Sequence, residues 1–134
     1  MLKKILEKKV YLVYAPLAVY WAAIAVATSI PAKSLPKTSI NDKIEHILAY
    51  FGLGFLLSFA LYAQGKYIFL KNNYAISALL ITLIYAVVDE IHQLLIPGRQ
   101  CDILDMIADL AGAIAGIILI KVIVKIFIPE KINY

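Results

Sequence analysis

Cysteine is almost missing from this sequence. Cys101 stands alone, so no disulfide can form within the chain, and no C-x-x-C pair offers a zinc site or a redox motif. Charge is scarce as well: Asp, Glu, Lys and Arg make up 16% of the 134 residues, too few to coat a water-soluble domain in the usual way. Three familiar catalytic or phosphate-binding signatures are missing, namely G-x-S-x-G, H-E-x-x-H and G-x-x-x-x-G-K-[ST]. Repeats and low-complexity segments are lacking too. The formal net charge of +4 does not point to nucleic acid, because the lysines lie between and beyond long apolar runs, where they report orientation in a bilayer.

What is abundant is apolar sequence: 63% of the residues are hydrophobic, and the mean hydropathy is +0.84. Four runs are long enough to cross a hydrocarbon core, which needs about 20 helical residues. They lie near Val10–Ile30, Ile44–Ala63, Tyr74–Ile96 and Ile103–Ile120, the last able to continue to Ile128 with Lys121 and Lys125 snorkelling to the surface. Turn chemistry separates them in "IPAKSLPKTSIN", "QGKYIFLKNN" and "IPGRQC". The expected fold is an all-α, integral membrane four-helix bundle, one domain over residues 1–134, with the last two spans in a tight antiparallel hairpin. Although "KKILEKK" resembles a basic leader and "AVA" a cleavage site, the first run exceeds the about 7–15 residues of a signal core and reads as a span. Pro16 is expected to bend it, and Tyr11, Tyr14, Tyr67 and Tyr74 to sit in an interfacial belt.

Nine of the thirteen basic residues fall at the N-terminus, in the second loop or in the tail: Lys3, Lys4, Lys8, Lys9, Lys66, Lys71, Lys121, Lys125 and Lys131. Lys33, Lys37, Lys43 and Arg99 occupy the other two loops. This bias places both termini in the cytoplasm of a multi-pass plasma-membrane protein. Asp42, Glu45, Asp89, Glu90, Asp102, Asp105 and Asp109 then gather at the outer ends of spans two, three and four.

At about 100° per residue, Asp42, Glu45, His46, Ala49 and Gly52 share a stripe on span two. Thr82, Tyr85, Asp89, His92 and Gln93 share one on span three, with Glu90 about a quarter-turn aside. Span four aligns Asp102, Asp105, Asp109, Gly112 and Gly116, so its acids run into a G-x-x-x-G pattern that permits close helix approach. The acids must therefore face the bundle, and they predict a polar pocket at the outer end. His46, His92, Glu90 and Asp105 are the candidate acid–base groups; Asp42, Asp89 and Asp102 are candidate ligands for a divalent metal; Lys43, Arg99 and Gln93 are candidates to hold a substrate anion.

Simpler roles stand beside these. Asp42 and Asp102 can cap helices, Arg99 can pair with Asp89 or Asp102, and Glu45 and Glu90 can face headgroup water. His46 and His92 can be hydrogen-bonded interior histidines, although two on facing helices would be expected to meet. Pro97-Gly98 reads most simply as a turn, and Cys101 as incidental. The acid spacing of span four resembles diphosphate-binding ladders, but the Gly, Ala and Arg positions of the CDP-alcohol transferase signature are missing.

Together, "NDKIEHILAYFGLGFLL" at Asn41–Leu57 and "DEIHQLLIPGRQCDILDMIADLAGAIAG" at Asp89–Gly116 resemble the VanZ-like membrane proteins, named for a bacterial teicoplanin-resistance protein. The resemblance covers about residues 10 to 120. Its specific part is the combination D-K-x-x-H, D-E-x-H-Q and P-x-R-x-x-D-x-x-D, which marks Asp42, Lys43, His46, Glu90, His92, Gln93, Arg99, Asp102 and Asp105. Asp109 departs from it, since the family pattern usually has asparagine there. The resemblance implies a four-span envelope protein, linked in some members to lowered glycopeptide sensitivity, and it supplies no established reaction. The expected activity is a membrane hydrolase or transferase working at the outer leaflet on a lipid-linked or phosphorylated envelope component. The alternatives are a non-catalytic module that binds lipid, amphipathic antibiotic or a partner protein, and a small oligomeric proton-coupled transporter.

Overall fold

The computed structural model describes residue 8 and residues 10–35 and 41–127; Lys3, Lys4, Lys9, Lys37 and Lys131, which entered the charge bias, lie outside them. The described residues form helices and turns without a strand. A π-helical segment, Val10–Tyr14, leads into α1 (Ala15–Thr28), followed by a 3-10 turn at Ala32–Ser34. The remaining helices are α2 (Asp42–Ala63), a short α3 (Ile68–Asn72), α4 (Tyr74–Gln93) and α5 (Ile103–Phe127). Four helical stretches have the length and composition to cross a membrane: Tyr11–Thr28, Asp42–Ala63, Tyr74–Gln93 and Ile103–Phe127. At about 1.5 Å per residue these match a hydrocarbon core of about 30 Å.

Local chemistry explains the boundaries. Asn41 caps α2 by accepting from the Lys43 N–H at 2.9 Å, while Asp42 and Glu45 in the first turn complement the helix dipole. At the far end of α2, Gln64 Oε1 accepts from the N–H groups of Lys66 and Tyr67 and folds the chain back. Span three stops at Gln93 instead of Ile96, because the Leu95 and Ile96 N–H groups turn back to the His92 and Gln93 carbonyls just before Pro97. Gly98 then takes a φ of +79°, a conformation that disfavours side chains. Asp102 Oδ1 accepts from the Leu104 N–H at 2.8 Å to start α5, which runs on to Phe127 as the longer reading of span four anticipates. Pro16 lies in the first turn of α1, immediately after the π-helical segment, where its missing N–H is tolerated.

The contacts define the topology. Gly112 lies on the Ile47 backbone and Gly116 on that of Phe51, so α2 and α5 run parallel. Stacking of Tyr50 with Tyr85 and the edge contact of Tyr62 with Tyr74 set α4 antiparallel to α2. α1 is also antiparallel to α2: Val13 packs with Ala60 and Ala63, while the Tyr20 hydroxyl donates to the Ala49 carbonyl at 3.0 Å. The helix ends nearest Val10 and Phe127 are consequently at the same end of the bundle.

Solvent-accessible faces are apolar, as a lipid environment requires. Leu80, Ile84, Val88 and Ile91 face outward on α4, and Ile103, Leu104, Ile107, Ile114 and Ile118 on α5. Inside, small residues let backbones meet, and the Ser58 and Thr82 hydroxyls return their hydrogen bonds to carbonyls of their own helices. The polar groups that remain are concentrated where α2 and α5 begin.

Candidate functional site

The close α2–α5 seam sets the register of the polar groups. One turn before the Gly112 contact, His46 of α2 reaches Asp109 of α5, with Nδ1 and Oδ1 2.8 Å apart. A turn earlier, Lys43 Nζ donates to Asp105 and, at 2.6 Å, to Asp102 Oδ2. His46 Nε2 lies 3.9 Å from Asp105 Oδ2, so two carboxylates of α5 flank the imidazole. Asp109 is fully buried.

From the other side, α4 contributes Asp89, Glu90 and Gln93, all buried. Glu90 corrects the helical-wheel expectation that it faces headgroup water. It is 1% exposed, and its Oε2 accepts from the Asp102 N–H at 2.9 Å. The reason is tertiary: the Leu94–Asp102 connection folds over the end of α4 and covers a position that an isolated helix would leave open. Gln93 Nε2 lies 3.4 Å from Asp89 Oδ2, within the same element. Glu45 is exposed as expected.

The two histidines make different bonds. His46 pairs with Asp109, whereas His92 Nε2 lies 3.0 Å from Ser29 Oγ, just beyond α1. Arg99 bonds neither Asp89 nor Asp102; its Nε and Nη2 donate to the Ile30 and Ala27 carbonyls at 3.3 and 3.2 Å. It thus adds a charged donor to carbonyls at the end of α1, where a cation is also favoured by the helix dipole. Of the two expected caps, Asp102 caps α5, but Asn41 takes that role on α2 in place of Asp42. Asp102 lies outside the spanning segments, and its carboxyl is held below the usual 3.8, first by the Lys43 ammonium and then by the Leu104 N–H.

A cavity of about 170 Å³ lies among α1, α2 and α4. Ile24, Ala27, Leu35 and Ala49 supply apolar wall; Asp42, Glu45, His46, Asp89 and Arg99 supply polar wall. Asp42 and Glu45 are exposed and form its rim. The structure therefore brings His46, Arg99, Asp42 and Asp89 to one space, with Asp105, Asp109 and Glu90 behind it. Lys43, Asp102, Gln93 and His92 do not line that space.

Tyr50 went unnoticed in the helical stripes. It lines the cavity one turn after His46, is buried, and its hydroxyl has no hydrogen-bond partner among the described residues. Its i+4 spacing from His46 is the signal that marks it. Ser29, the partner of His92, carries no such signal, because only the fold brings it across 63 residues.

Among the proteins compared, a family model described as VanZ/LLP1 matches residues 9–125, nearly the whole chain. No curated protein and no solved structure matches it.

Proposed function

The chain belongs to the VanZ/LLP1 family of membrane proteins, and from that premise we propose that it is an enzyme of the cell membrane. It works at the outer face on a lipid-linked or phosphorylated envelope component, by hydrolysis or group transfer. The observation that carries this reading is His46, fixed by buried Asp109 and flanked by Asp105, at the wall of a cavity with both apolar and ionic lining. An imidazole oriented by a carboxylate is a standard proton-handling unit.

The cavity's size also bears on substrate class. Pockets that enclose a whole drug-sized ligand measure about 300–1,000 Å³; about 170 Å³ suits a headgroup whose tails stay in the bilayer. Arg99 is the anion-binding group of choice, because a guanidinium has five N–H donors and its recorded bonds use two. Lys43 is committed to Asp102 and Asp105, and supports the site as their counter-ion.

The test is mass spectrometry of envelope lipids and lipid-linked precursors incubated with purified protein. Turnover by wild type is expected to fall by about 10²-fold or more in His46→Ala, the usual scale for losing a positioned acid–base group. Full turnover in that variant would remove His46 from the chemistry. The separation of His46 from His92 favours one second reading, a non-catalytic lipid-binding module; lipid retained unchanged by wild type would support it.

A further inference from the structure

Ionisable groups at the polar end are out of balance. Asp89, Glu90, Asp105 and Asp109 are all buried, yet among the described residues the side-chain cations bonded to this group are Lys43 and, when protonated, His46. Arg99 spends its recorded bonds on backbone carbonyls. Buried charge without a counter-ion costs several kcal/mol per group, and the cost is felt acutely at membrane depth.

The imbalance is localised. Among the described residues, Glu90 Oε1 and Asp109 Oδ2 are buried with no hydrogen-bond partner, although each residue's other oxygen is bonded. Buried carboxylate oxygens normally find a donor, so two orphans at one end of the bundle require explanation. One ligand atom each from His46, Glu90 and Asp109 lies within 4.8 Å of the other two. We propose that His46, Glu90 and Asp109 bind one first-row divalent cation, such as zinc or manganese.

The donor chemistry fits. One imidazole and two carboxylates are a common set for such ions, with a further position left for water or substrate. Ligand atoms around a tetrahedral zinc lie about 3.4 Å apart, given metal–ligand bonds of about 2.0–2.2 Å. Donor atoms that all lie within 4.8 Å of one another can reach that spacing by small side-chain shifts. The three ligands come from three helices, α2, α4 and α5, so the ion would tie the bundle together at its polar end.

A second group, Asp42, His46 and Asp105, also has ligand spacing. It is the weaker site, because Asp105 already carries Lys43 and Asp42 is exposed. With the ion on the first group His46 serves as a ligand. Asp105, 3.9 Å from its Nε2, stays outside the ligand set as the partner of Lys43. This inference holds whether or not the site turns over a lipid, and binding is measured without substrate.

The experiment uses the full chain in detergent, stripped with chelator and titrated calorimetrically with Zn²⁺ and with Mn²⁺. One ion per chain is expected for at least one metal, with affinity reduced about tenfold or more in Glu90→Gln and Asp109→Asn and unchanged in His92→Ala. No stoichiometric binding by wild type, or equal binding by both carboxylate variants, overturns the site. Should those variants fail to fold, X-ray absorption on the wild-type zinc complex decides: one imidazole with oxygen ligands is expected. No imidazole, two imidazoles or a sulfur ligand refutes the assignment.

Discussion

Lys43 shows how one side chain can serve two acids with different surroundings. Its ammonium bonds Asp105, which is nearly buried, and Asp102, which is partly open to solvent. Lys43→Met leaves Asp105 without its lysine partner, and a loss of stability is expected. Chemical unfolding in detergent measures this, and adding Asp105→Asn to Lys43→Met should recover most of the loss. The pH dependence of Asp102 has a definite sign. Its folded carboxyl ionises below the usual 3.8, so its contribution is fully present above that value and is lost as pH falls through the lowered one. Asp102→Asn should therefore flatten the acid limb of a stability-versus-pH curve; an unchanged limb would assign the acid sensitivity elsewhere.

Between elements, the α2–α5 seam decides whether the site assembles. A Cβ at Gly112 would lie 2.2 Å from the Ile47 carbonyl oxygen, and one at Gly116 would lie 2.2 Å from that of Phe51. Backbone cannot swing aside as a side chain can, so Gly112→Ala or Gly116→Ala must part the helices. The expected cost is about 1–3 kcal/mol, in the range of overpacking, and the Lys43–Asp105 and His46–Asp109 contacts loosen with it. Gly52 provides the contrast, since a Cβ there meets the hydroxyl end of the Tyr20 ring, which can rotate away at the expense of its bond to Ala49. Unfolding in detergent should rank Gly52→Ala as the mildest of the three; a larger loss there would mean that the α1–α2 contact matters more than the seam.

For the whole molecule, the central question is which end faces outward. The Asp- and Glu-rich ends of α2, α4 and α5 lie together, while Lys66, Lys71, Lys121 and Lys125 lie toward the opposite end. We propose from the charge bias that the polar end faces outward. Cys101, exposed in the connection between α4 and α5, is a native reporter. A membrane-impermeant maleimide applied to intact cells is expected to label it, whereas Lys66→Cys, made in a Cys101→Ser background, should label only after permeabilisation. The reverse pattern would invert the protein and move the proposed chemistry to the cytoplasmic leaflet.

The amino-acid sequence alone makes this chain helical and membrane-spanning, because run length and apolar content depend on no distant contact. It also revealed that the acids of α5 share a face with Gly112 and Gly116, since helical periodicity is local. Periodicity went no further: it left Glu90 at a margin and expected His46 to meet His92. Those partners came from the packing of the helices and their connections. The fold of the α4–α5 connection buried Glu90, the approach of α1 drew His92 to Ser29 and Arg99 to the Ala27 and Ile30 carbonyls, and the glycine seam set His46 against Asp109. A helix dictates which of its own residues share a face, but the partners across that face depend on how neighbouring backbones pack.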